Sequence, residues 1–419
     1  MASTGKIVEV LFENAIETYE KQDMMLSKVN FFKPSAADMQ NSGNFIWRSV
    51  QQHAPIIDGF DLTGKEQNII EETYPAVLGT PKNDFVEQRA DDMRDTQFWE
   101  RRGQESGRQQ ATGLNKAITE AMVTQGSMFY SSAATSGYPF IAEAQALMNE
   151  RQGAETTRNF MLNDRDTLTY SADLAARQTL QGRPESDAWS KGQIGANVAG
   201  FDVFTGSFLP NITGGASPGT TVTGNQSFKP EGGSVDSVTG VATNVDYRLA
   251  TIPVADESSY SVGDKVTMGV NALGLADKTD TGQLMTFTIV ALGTDSITVY
   301  PKPIALDDVA LTDTEQAYAN IDTTITNTTP VVRVNTAASN KSNLFWDRDA
   351  VEVLGGTLPA QLFKQFDGMQ VISKTMSNGQ EMYCVYDGNI ATLSFRFRLF
   401  TWYGITVKDP SRVGVAVTA

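Results

Sequence analysis

A mixed α and β fold interrupted by an all-β insert is what this sequence predicts, and three observations carry the prediction. Residues 220–336 hold 21 threonines in 117 positions and no tryptophan, in short alternating runs separated by Gly and Asp turns. Ahead of that block the chain shows helical periodicity, and behind it the mixed character returns and ends in strand-like pieces. At 419 residues the chain also exceeds one ordinary core, so two or more domains are expected.

Taken in order, Ile7, Leu11, Ala15 and Tyr19 recur at four-residue intervals and predict an amphipathic helix over residues 5–20. Glu9, Glu13, Glu17 and Glu20 form an acidic edge beside that stripe, either a solvated helix face or a docking strip for a basic partner. Residues 44–78 turn extended. Two β-rich arms, 45–50 and 69–78, flank the turn-rich Asp58-Gly59-Phe60-Asp61-Leu62-Thr63-Gly64, a long hairpin with a polar tip. Neither arm is apolar enough to stand alone, so the hairpin must lie against something else.

The densely charged residues 83–110 lead into Leu114, Ala117, Ile118, Ala121 and Met122 and predict one long helix, better buried in its second half. Gly103, Gly107 and Gly113 each weaken it by about 1 kcal/mol relative to Ala, which predicts kinks or breaks. Further helices are expected at 140–149, opened by Pro139, and at 165–180, with a buried strand Asn159-Phe160-Met161-Leu162 between them. Residues 192–219, thick in Gly and Pro, read as a loop-rich approach to the β block.

Inside the block, Val266, Met268 and Val270 alternate inward, as do Met285, Phe287 and Ile289, and Gly293-Thr294-Asp295 turns the chain into Ile297 and Val299. Threonine on the opposite positions fits a half-exposed sheet, a small barrel or sandwich. The pieces at 381–386, 393–405 and 413–417 read as strands completing the domain that the block interrupts.

Composition narrows function. A formal net charge of -16 argues against nucleic-acid binding, which needs clustered Lys and Arg. No apolar run approaches the roughly 20 residues that span a bilayer, and the N-terminus has no signal-peptide core, so a cytoplasmic location is expected. The one cysteine, Cys384, allows no intramolecular disulfide and no cysteine-cluster metal site; its apolar neighbours predict an inert, half-buried thiol.

Catalytic constellations are missing. The one histidine, His53, stands beside Pro55 with no nucleophile near it in sequence, and reads as a surface or interface residue. Residues 59–66 approach the spacing of a phosphate loop, but Glu66 stands where a magnesium-binding hydroxyl is needed and no helix signal follows. Asp91-Asp92 and Asp307-Asp308 offer paired carboxylates for glycoside hydrolysis or calcium. Arg89, Arg94, Arg101 and Arg102 answer the first pair at helical spacing, so salt-bridged helix faces are the better reading there. No cofactor and no metal are expected. A polysaccharide-acting enzyme and a secreted β-rich adhesin or tail protein are the competitors to a structural subunit.

Longer runs carry a resemblance. Asn83-Asp84-Phe85-Val86-Glu87-Gln88-Arg89-Ala90-Asp91-Asp92-Met93-Arg94-Asp95, Pro301-Lys302-Pro303-Ile304-Ala305-Leu306-Asp307-Asp308 and Gln316-Ala317-Tyr318-Ala319-Asn320 closely resemble the major capsid (coat) protein of short-tailed temperate bacteriophages. Gln226-Ser227-Phe228-Lys229-Pro230 and Trp402-Tyr403-Gly404 are similar to the same family, and the likeness runs in order along essentially the whole chain. It implies an α+β tailed-phage capsid-shell fold with an inserted six-stranded β-barrel. By position it implies an N-terminal arm at 1–34, an extended β-hairpin loop at 35–80 and a peripheral domain with its spine helix at 81–135. The axial domain would follow at 136–221, the barrel at 222–345, and the completion of the axial and peripheral domains at 346–419.

The resemblance further implies a shell of pentamers and hexamers of this chain, built on a scaffolding protein and joined by a portal protein and in some cases a decoration protein. Such a shell encloses double-stranded DNA without sequence-specific binding and matures on packaging. It would be found in the virion, and in host cytoplasm during assembly. Glu9, Glu13 and Glu17 match the scaffold-docking face, and Asp61, Lys65 and Glu66 the tip of the hairpin that lies on a neighbouring subunit. A barrel loop that crosses twofold axes in the family corresponds to residues 231–248, where Asp236, Asp246 and Arg248 are the candidates. That stretch is rich in Gly, Ser, Thr and Val, which departs from the family's charged pattern.

Overall fold

A computed structural model describes residues 2–35, 44–50, 53–56, 59–63, 70–89, 96–132, 137–151, 157–177, 195–215, 219–231, 234–235, 242–243, 246–336, 338–358, 369–389 and 391–418. The chain forms two compact units: residues 1–46, 76–118 and 352–406, and residues 47–75, 119–351 and 407–419.

In the first unit the N-terminal helix spans Ala2–Gln22 and buries Val8, Leu11, Phe12, Ala15, Ile16 and Tyr19 along one face. A four-stranded antiparallel sheet runs in the order Gln370–Thr375, Glu381–Asn389, Ser394–Thr401, Lys82–Arg89. The last of these corrects the sequence expectation, because residues 83–89 were to open the long helix and instead pair with Ser394–Thr401 over their whole length. Their exposure alternates, as befits an edge strand; the dense charge that resembled a helix face is the solvent side of that strand. Residues 393–405 likewise do not form one strand. Ser394–Thr401 stays in this sheet, while Tyr403–Val407 joins a three-stranded sheet with Asn30–Phe32 and Val351–Gly355.

The long helix, Thr96–Gln125, is unbroken over 30 residues. The expected breaks do not occur, and packing supplies a reason. A Cβ on Gly103 would land on the Leu11 carbonyl and one on Gly107 on the Ala15 carbonyl, so these two glycines form the groove that admits the N-terminal helix. Trp99, buried against Phe397 at 5.6 Å, and Gln110, hydrogen-bonded to Thr401, fix the same helix on the four-stranded sheet. Burial of this kind outweighs a propensity penalty of about 1 kcal/mol per glycine.

Two large sheets lie in the second unit. A mixed sheet runs in the order Met128–Ser132, Val413–Thr418, Asn340–Asp347, Arg158–Leu162, Phe201–Thr205, Gly195–Val198. The helices Tyr138–Glu150 and Asp164–Arg177 contribute Phe140, Ile141, Ala144, Met148 and Tyr170 to its core, beside Phe160, Phe201 and Phe345. Residues 192–219, expected to be loop, supply two of those strands. Ala199 and Gly200, both at positive φ, make the two-residue turn between them, so the glycine there marks a hairpin and not a loop. The strand Asn340–Asp347 lies centrally in this sheet, so the last residues of the stretch 222–345 belong to it.

The other sheet is antiparallel throughout, ordered Gly219–Thr221, Pro330–Arg333, Lys265–Leu273, Asp280–Gly293, Ser296–Tyr300, Ala250–Pro253. Its first and last strands meet through a bridge between Val222 and Val254. Inside lie Val266, Met268, Val270, Met285, Phe287, Ile289, Ile297 and Val299, the residues whose alternation predicted the strands.

Candidate functional site

The acidic edge that the sequence singles out is built by a helix whose opposite face is buried. On the N-terminal helix, Glu9, Glu13 and Glu17 are exposed while Leu11, Ala15 and Tyr19 are buried. Glu17 forms an i,i+4 ion pair with Lys21 at 2.6 Å, and the hydrogen bond and charge of that lysine lower its carboxyl pKa. The helix therefore presents an acidic edge whose geometry is set by burial on the other side.

The hairpin strands Phe45–Ser49 and Thr73–Val77 pair, and below them the Val50 N–H donates to the Glu72 carbonyl at 2.9 Å. The support its arms needed is partly Tyr318, whose hydroxyl donates to the Ile70 carbonyl at 2.7 Å and accepts from the His53 N–H at 3.3 Å. His53 is thus packed against Tyr318. It is half-buried, edge-on to the Tyr318 ring at 5.0 Å, and burial lowers its pKa, with Lys278 adding to the effect. At the tip, Asp61 is exposed and accepts from the Thr63 N–H and hydroxyl at 3.0 and 2.6 Å, which hold its carboxyl below the usual range. Lys65 and Glu66 lie outside the described residues.

Of the twofold-loop candidates, Asp236 lies outside the described residues. Asp246 and Arg248 are joined to each other: the guanidinium engages the carboxylate at 2.8 Å through both Nε and Nη2. Nη1 donates to the Val407 and Lys408 carbonyls, each at 2.9 Å, and the group lies 5.1 and 5.0 Å from the Tyr74 and Tyr300 ring centres. Burial opposes the charge on Arg248, but Tyr300 and the bidentate Asp246 outweigh it and raise the pKa. Sequence reasoning missed this buried cluster, because Tyr74, Tyr300 and Val407 are far apart along the chain.

The carboxylates weighed as catalytic pairs are structural where they are described. Asp307 accepts from the Thr324 hydroxyl at 2.6 Å and Asp308 from the Ser227 hydroxyl at 2.5 Å. Asp91 and Asp92 are outside the described residues, and Arg102, expected to answer them, pairs with Asp84. Cys384 is fully buried, and burial pushes its thiol up to about 12. Among the described residues no group of three or more metal-ligating side chains could hold an ion, and no helix is long and apolar enough to cross a membrane.

The runs 301–308 and 316–320 hold each other in place. The Asn320 side chain accepts from the Ile304 N–H at 2.9 Å and donates to the Lys302 carbonyl at 2.8 Å.

The model of a family described as P22 coat protein, gene protein 5, matches residues 1–419. Among solved structures, the chain is similar to one described as Mycobacterium phage Che8, with 10% identity, 94% of this chain and 90% of that chain covered, and a TM-score of 0.43. It is similar to the head structure of Helicobacter pylori bacteriophage KHP40, with 9% identity, coverage of 93% and 86%, and a TM-score of 0.42. It is also similar to the CUS-3 coat protein I-domain, with 26% identity over 29% of this chain and 98% of that one, at a TM-score of 0.21.

Proposed function

The chain belongs to the P22 coat protein family and is a structural subunit of a phage capsid, not an enzyme, and from that premise we propose how it assembles. Copies associate as pentamers and hexamers on a scaffolding protein, enclose a portal, and form a procapsid in the host cytoplasm that matures as DNA is packaged. A decoration protein is a further partner where one is present. A chain of net charge -16 suits this role, since an acidic wall does not trap the genome it must release.

The observation that carries the scaffold contact is the acidic edge of the N-terminal helix, exposed opposite a fully apolar buried face. A basic scaffold segment would find Glu9, Glu13 and Glu17 in one row, and charge complementarity would set its orientation. At the hairpin tip, Asp61, Lys65 and Glu66 would reach a neighbouring copy; exposed Ile56 and Phe60 support that reading, because they leave apolar surface open for another chain to cover. The 231–248 loop would contact a neighbour through residues around Asp236, while Asp246 and Arg248 anchor its end within their own chain. The six-stranded sheet with its own core would be the inserted barrel.

Electron microscopy of the chain co-expressed with its scaffold tests the whole reading: closed particles are expected, and soluble monomers or small rings alone would sink it. For the docking edge, Glu13→Lys and Glu17→Lys should each block scaffold-directed particles while the circular dichroism stays that of the wild type. Glu13→Lys should act more strongly, because Glu17 is already compensated by Lys21. Normal particles from both variants would remove the docking claim.

A further inference from the structure

In the second unit a cavity of about 200 Å³ opens beside the base of the hairpin, with His53, Glu72, Arg151, Arg248, Lys302 and Lys408 among its lining. Its charges are not balanced. Arg248 is answered by Asp246, and Asp409, also in the wall, by Arg412 at 2.9 Å. Lys302 lies 3.9 Å from Glu231, and burial pushes the Glu72 carboxyl up to about 7.

Arg151 has no such answer among the described residues. It follows the helix Tyr138–Glu150 and is buried, with 4% of its surface exposed. Its Nη1 donates to the Met285 sulfur at 2.6 Å, and its Nη2 has no hydrogen-bond partner among the described residues. A thioether is a weak acceptor, and a guanidinium does not shed its proton in a protein. Burial pulls its pKa down to about 10, and the charge that opposes this is its chain neighbour Glu150. A buried, unpaired cation is strongly destabilising unless an anion reaches it, and planar guanidinium suits the two oxygens of a carboxylate or phosphate. With a water occupying about 30 Å³ of liquid, the cavity has room for one such group and its hydration.

We propose that this cavity is an oxyanion site, in which Arg151 binds a carboxylate or phosphate group, assisted by Lys302 and Lys408. The group comes either from a free ion or from an acidic side chain of a second copy.

Calorimetric titration of the purified, unassembled full chain with inorganic phosphate at constant ionic strength tests the site. One phosphate per chain is expected, with no heat from matched chloride. Arg151→Met should weaken binding at least about tenfold, and Lys408→Gln less. Should Arg151→Met fail to fold, Arg151→Lys, which keeps charge but loses the two-pronged geometry, should also weaken binding several-fold. Retention of phosphate binding in assembled shells assigns the site to a free ion, and its loss on assembly assigns it to a carboxylate of a second copy. Absence of binding at millimolar phosphate, or binding equal in wild type and the Arg151 variant, overturns the proposal.

Discussion

Lys265 carries its ammonium into the interior, with 0% of the residue exposed, and ends at the C-terminus of the long helix. There Nζ donates to the Val123, Thr124 and Gly126 carbonyls at 2.8, 3.3 and 2.5 Å and to the Thr288 hydroxyl at 2.9 Å. The Val123 and Thr124 carbonyls are among those a helix leaves unpaired, and a cation there also meets the negative end of the helix dipole. Lys265→Met should therefore destabilise the chain by about 3 kcal/mol, read from urea unfolding, because buried acceptors lose their donor. A change below the error of extrapolation would show that water replaces the ammonium. Glu72 makes a pH-dependent contribution. Burial raises its pKa from 4.5 to about 7, against the pull of Lys302 and Arg248. An acid raised in the folded state holds its proton more tightly there, so stability is complete below about 4.5 and declines as pH rises to about 7. Glu72→Gln should gain on the wild type by up to about 3 kcal/mol between pH 5 and pH 8, and a pH-independent difference would refute this.

Among the elements, the three glycines of the long helix separate propensity from packing. Gly107 meets the Ala15 backbone, whereas a Cβ on Gly113 would meet nothing within 4 Å. Gly107→Ala should cost about 2 kcal/mol through displacement of the N-terminal helix, while Gly113→Ala should stabilise by about 0.5–1 kcal/mol, both read as shifts in thermal unfolding. Similar losses at both positions would mean that the close approach of the two helices is not what requires glycine. The elements differed in legibility for the same reason. The N-terminal helix and the strands around Met268 and Phe287 were legible because a single periodicity runs through each. The strand Lys82–Arg89 was not, because an exposed edge strand and an exposed helix face are both charged. The hairpin around Ala199 and Gly200 was hidden because glycine signals a turn without saying what the turn connects.

For the whole molecule, the six-stranded sheet encloses a core drawn from residues 222–331. Residues 219–336 expressed alone should thus give a dispersed amide spectrum, and a collapsed spectrum would show that the Lys265 anchor and the rest of the unit are needed. The acidic edge of Glu9, Glu13 and Glu17 was legible from spacing, and the family from runs such as Pro301 to Asp308. By itself the sequence determined the mixed α and β class, the absence of a catalytic constellation around its one histidine, and membership of a coat-protein family, because periodicity, composition and contiguous motifs are local properties. The tertiary structure alone decided which charges are buried: Arg248 on carbonyls 159 and 160 residues away, Lys265 on one 139 residues away, and Arg151 at a cavity wall with its Nη2 unpartnered among the described residues. Burial and pairing depend on what the rest of the chain brings near a side chain, and no spacing along the sequence encodes that.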